Sequence, residues 1–137
     1  MSFDLLVFDP AIVQYEDREA FVAWYFETTK WEGSHDYADP NSTSASLQAW
    51  YNEMRVTYPA MNGPDAVSGD DIDNPNVSDY NFSTDAVYVT FAWSEAENAF
   101  TTMSSLAQKH QLGFFNLSNE DAGVWAPNAK GEYVRVH

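Results

Sequence analysis

Proton transfer, metal binding and nucleophilic attack each need particular side chains at particular spacings, and here the residues that qualify are mostly carboxylates. His35 stands beside Asp36, with Glu32 and Asp39 close in sequence. That grouping could move protons in a hydrolysis or supply part of a metal site. A solvated acidic loop has the same composition. The run Asp70-Asp71-Ile72-Asp73-Asn74-Pro75-Asn76 offers oxygen donors to calcium. Counted from Asp71, however, its fifth position is Pro75, its sixth is Asn76 in place of Gly, and its twelfth is Phe82 in place of Glu. It therefore fails the EF-hand template, leaving an irregular weak cation site or a plain solvated loop. His110, next to Lys109, falls where a helix end favours positive charge, and His137, the last residue, is expected to fray. The chain has no Cys, so thiolate chemistry and disulfides are excluded. No G-x-S-x-G, G-x-x-x-x-G-K-[ST], G-x-G-x-x-G or H-E-x-x-H motif is present. No catalytic set, cofactor or metal ligand is therefore assigned, and the chain is not expected to be an enzyme.

The charge is the unusual quantity. Lys and Arg number 6 against 21 Asp and Glu, a formal −15 over 137 residues. A surface of that sign repels nucleic acid and anionic lipid and suits a basic partner. The acids are also concentrated. From Arg55 to Lys109 there is no intervening Lys or Arg, while Asp65, Asp70, Asp71, Asp73, Asp79, Asp85, Glu95 and Glu97 all lie between them. The N-terminal Met1–Pro10 run carries an acid where a signal peptide needs basic residues, and no stretch is apolar enough to span a membrane. The expected location is the cytoplasm.

The elements that must position these residues read as follows. Phe3 to Phe8 is apolar at almost every position, the mark of a strand covered on both faces, and Asp9-Pro10 closes it. A helix is predicted from Asp17 to about Trp31, a turn-rich loop over 34–43, and a second helix from Ser44 to Val56 with Leu47, Trp50, Tyr51 and Met54 as its apolar stripe. Pro59 to Pro64 brackets Asn62-Gly63, a turn, and an acidic loop over 65–79 follows. Tyr80 to Ser83 and Ala86 to Trp93 read as strands, and Ser94 with Glu97 as a capping box opening a third helix that stops at Gly113. Phe114 to Leu117 reads as another strand, and 123–127 and 132–136 as weaker ones. One domain over 1–137 is expected, of α+β class. Its architecture would be a two-layer sandwich with a mixed sheet, the strands of a β-α-β unit over 86–117 running parallel, and about three helices mainly on one face.

Trp31, Tyr37 and Tyr80 sit at element ends beside acids, where aromatics serve either as packing or as anchors of a protein-binding surface. Four stretches together resemble small acidic bacterial proteins. They are Phe3 to Asp9, Trp50 to Pro64, Val87 to Glu97 and Ala107 to Phe115. That group is associated with immunity proteins of polymorphic toxin systems, delivered by contact-dependent inhibition or type VI secretion. The resemblance implies an inhibitor that binds a cognate toxin domain, a nuclease or nucleotide-directed enzyme with a basic cleft, and works by occlusion instead of catalysis. The acids expected to meet that cleft are Asp70, Asp71, Asp73 and Asp79 with Tyr80, then Glu32, Asp36, Tyr37 and Asp39 with Trp31. The alternative is a small hydrolase that reverses a toxin's modification, with His35 and nearby carboxylates as acid and base. A third reading is a general adaptor for several basic proteins.

Overall fold

The first strand, β1 (Ser2–Phe8), organises the molecule because it can be buried on both sides. Leu5, Leu6, Val7 and Phe8 are all at 0 % exposure. Side chains alternate across a strand, so Phe3, Leu5 and Val7 enter one core while Leu6 and Phe8 enter another. The computed structural model describes residues 2–31, 37–68, 73–118 and 122–137.

Helix α1 (Arg18–Thr28) is capped by Asp17, whose carboxylate accepts from the Glu19 amide at 3.0 Å. Helix α2 (Ala45–Thr57) buries Leu47, Trp50, Tyr51 and Met54, the stripe its sequence period predicts. Strands β2 (Asp79–Phe82) and β3 (Ala86–Ala92) form a hairpin. Helix α3 (Ala96–Lys109) leads to β4 (Gly113–Phe115), followed by β5 (Val124–Pro127) and β6 (Tyr133–Arg135). The six strands make one sheet in the order β2-β3-β1-β4-β5-β6. The class is α+β, a sheet sandwiched by helices.

Two particulars differ from the sequence expectation. The sheet is antiparallel at every pairing, not mixed. Strands β3 and β4 do run in the same direction, since each is antiparallel to β1, but β1 lies between them and splits the β-α-β unit. Two of the three helices do share one face, as expected. Helices α2 and α3 cover the face of Phe3, Leu5 and Val7, whereas α1 places Phe21 against Leu6, Phe8 and Phe115 on the other. Finally, both ends of α3 differ. Residues Trp93–Glu95 form a 3-10 turn, Glu95 occupies the cap without a side-chain bond, and Ser94 therefore caps nothing.

The helix is stopped by Gln111, which takes φ +55° while its amide and that of Leu112 bond back to Gln108 and Ala107 at 3.1 and 2.8 Å. Gly113 belongs instead to β4. It is glycine because a Cβ there would lie 2.0 Å from the Phe8 ring. Gly63 does fulfil the predicted turn, at φ +79°.

The C-terminus is held, not frayed. The His137 carbonyl accepts from the Val124 amide at 3.2 Å, and its ring nitrogen lies 2.8 Å from the Tyr15 carbonyl. Among the described residues no helix is long and apolar enough to cross a membrane.

Candidate functional site

Eleven residues of α1 cannot cover one whole face of a six-stranded sheet. They cover the half built from Leu6, Phe8, Ala86, Phe115 and Val124. The other half of that face carries polar side chains, and strand register places them in rows. Asp79 of β2 pairs with Thr90 of β3, which pairs with Asp4 of β1. One step along, Asn81 pairs with Tyr88, and Tyr88 with Leu6. Side chains two residues apart share a face, so Asp79, Thr90, Asp4, Asn81 and Tyr88 all lie on it.

The hydrogen bonding is specific. The Tyr88 hydroxyl donates to Asp4 Oδ2 at 2.6 Å. Ser118 Oγ accepts from the Asp4 amide at 2.8 Å and donates to its carbonyl at 2.9 Å, fixing this end of β1. Asp4 Oδ1 is shielded from solvent and meets no donor among the described residues. Burial, then the bond to Asp4, then the Asp4 charge push the Tyr88 phenol far above its usual range. Tyr25 is raised as well, by burial first and by Asp4 second. Asp79 titrates above the usual carboxylate range, because burial disfavours its charge and Asp4 across Thr90 repels it. No ion pair among the described residues includes Asp4 or Asp79.

Two aromatics border this face. The Trp31 ring meets Tyr88 edge-on at 5.9 Å and Tyr37 at 5.1 Å. Trp31 has φ +53°, a conformation bulky residues rarely adopt. The Tyr37 carbonyl accepts from the Phe82 amide at 2.7 Å, so Tyr37 meets the outer edge of β2.

The structure thus brings together members of both sequence-predicted acidic groups. Asp79 comes from the long acidic segment, and Trp31 and Tyr37 from the first loop. Asp73 is exposed. Asp39 caps a 3-10 turn over Pro40–Ser42, accepting from the Asn41 amide at 2.9 Å, and so has a local structural task. Tyr80 is a correction. It points to the opposite face at 0 % exposure, packs against Tyr51 and Phe82, and donates to the Tyr58 carbonyl at 2.7 Å, so it cannot anchor a partner from the surface. Its neighbour Asp79 faces the other way because β2 alternates. Glu32, His35, Asp36, Asp70 and Asp71 lie outside the described residues. Among the described residues no group of His, Cys, Asp or Glu is gathered closely enough to hold a metal ion.

Sequence reasoning passed over Asp4, Tyr88 and Thr90. One signal for Asp4 was available: it is the single charged residue inside the apolar run Phe3–Phe8, in a strand otherwise built for burial. Tyr88 and Thr90 read as generic strand formers, and only the register reveals the row they form with Asp4. Comparison of the chain with known protein families, with curated proteins and with solved structures finds no match in any of the three.

Proposed function

We propose that this chain is a cytoplasmic immunity protein, which binds a cognate toxin domain and occludes a basic active-site cleft. The observation that carries the reading is the polar half of the sheet face, on which Asp4 and Asp79 stand without a cationic partner among the described residues, bordered by Trp31 and Tyr37. Carboxylates held close to one another at the edge of burial gain most when a positive group arrives, and aromatic borders supply the contact area on which binding energy concentrates. The −15 formal charge acts at longer range. It steers a basic partner inward, with association approaching ~10⁸–10⁹ M⁻¹s⁻¹ at low salt. A cleft-blocking complex of this kind buries on the order of 1,200–2,000 Å² in total. The resemblance to acidic bacterial immunity proteins supports the same reading, and a nuclease or nucleotide-directed enzyme is the class of toxin whose cleft is basic.

The test is a calorimetric titration of the chain with the toxin domain encoded in the adjacent reading frame, at several salt concentrations. Nanomolar or tighter binding that weakens as salt rises is expected. A basic neighbour that shows no binding at low salt contradicts the reading.

A further inference from the structure

The carboxylate row ends at an apolar cavity. Met61, Val67, Asn74, Pro75, Val77 and Ala92 enclose about 410 Å³. Backbone hydrogen bonds preform its walls: Val67 to Ala60 at 3.0 Å, Met61 to Ser78 at 2.9 Å and Val77 to Asn74 at 3.0 Å. Ala92 is two residues beyond Thr90 on the same face of β3, so the cavity opens about 7 Å from the Asp79–Thr90–Asp4 row. Met61, at its mouth, is 51 % exposed.

We infer that cavity and row are one docking surface, and that it takes a partner segment bearing an apolar side chain about 7 Å from a Lys or Arg. The apolar group enters the cavity while the cation lies on Asp79, with the Asp4 charge behind it across Thr90. Residues i and i+2 of an extended segment have that separation. Charge complementarity selects the occupant. A second copy of this chain would set its own −15 against the same carboxylates. That the partner is a toxin rests on the function proposed above; the chemistry of the segment does not.

Two measurements separate the claims. In the first, the ¹⁵N-labelled chain is titrated with the tripeptide N-acetyl-leucyl-glycyl-arginine amide to about 10 mM. Amide shifts concentrated at Met61, Val67, Val77, Asp79, Thr90 and Ala92 are expected. They should shrink when Arg is replaced by Glu or Leu by Gly. Absence of localised shifts, or equal shifts from the Glu peptide, overturns the inference.

In the second, the adjacent-frame toxin is titrated against Ala92→Phe, which fills the cavity, and against Met61→Glu, which charges its mouth should the first variant fold poorly. Each is expected to weaken binding at least about 30-fold, the loss typical of an anchor residue. Wild-type affinity in a folded Met61→Glu variant overturns the docking surface while leaving the immunity reading intact. A toxin that fails to bind the wild type removes that reading, and the peptide titration still decides the surface.

Discussion

Two acidic regions of this molecule carry the same kind of side chain and treat it oppositely. On the face of α2, Glu53 accepts from Lys109 at 2.7 Å and also pairs with His110, the residue that caps α3, and Asp65 accepts from Arg55 at 2.8 Å and from Tyr51 at 2.9 Å. Those carboxylates are answered within the chain, and Glu53 titrates below its usual range because Lys109 and His110 donate to it. On the polar half of the sheet face, Asp79 titrates above its range and no basic side chain among the described residues pairs with it or with Asp4. Net charge alone cannot tell these regions apart. What distinguishes them is whether the fold supplies a cation, and a region left without one gains most from a partner that brings it.

The contrast can be broken or sharpened by substitution. The largest stability effect is expected from Tyr88→Phe, which removes the donor to Asp4 Oδ2 and leaves both carboxylate oxygens without a donor among the described residues. A loss of about 1–3 kcal/mol is anticipated in denaturant unfolding. A cost near zero would show that water serves Asp4 equally well.

Glu53→Gln comes next. It removes half of an exposed helix-to-helix pairing, so only a small loss is expected, close to the limit of measurement and shrinking at high salt. Its pH dependence has the opposite sign to that of Asp79. A carboxyl lowered by folding contributes stability above its unfolded pKa, and that contribution is lost as pH falls through the lower folded value.

Asp79→Asn is expected to stabilise the protein at neutral pH, by about 1–2 °C in Tm given the solvent still reaching that carboxyl. Folding raises the Asp79 pKa, so in the wild type the native state holds its proton to higher pH than the unfolded chain. Stability therefore falls as pH rises from the ordinary carboxylate range to the folded pKa, and the Asn variant should lack that decline. A variant that melts lower at pH 7 would mean that Asp79 has an internal partner after all.

Much of the scaffold was legible in the chain. The apolar run of β1 announced burial on both faces, and the stripe Leu47, Trp50, Tyr51, Met54 announced α2, because periodicity records which side chains avoid water. Strand order was not legible, since nothing in residues 86–115 says that β1 will insert between β3 and β4. The end of α3 misled for a related reason. Gly113 has the composition of a helix stop, but it is glycine to make room for Phe8, a contact more than a hundred positions away in sequence, while Gln111 takes the left-handed turn.

The site was half legible. Asp79, Trp31 and Tyr37 could be picked from acids beside aromatics, yet Tyr80 was picked by the same rule and is buried, because one residue's step along a strand reverses its face. Asp4 and Tyr88 become visible only once register aligns them.

The central claim is that the unanswered carboxylates, not the answered ones, receive the partner. It is tested most directly by measuring the affinity of the adjacent-frame toxin domain for the wild type, Asp79→Lys and Glu53→Lys at the same ionic strength. The account predicts a loss of roughly 100-fold for Asp79→Lys and less than about threefold for Glu53→Lys. Equal losses at the two positions, or a larger one at Glu53, would contradict it.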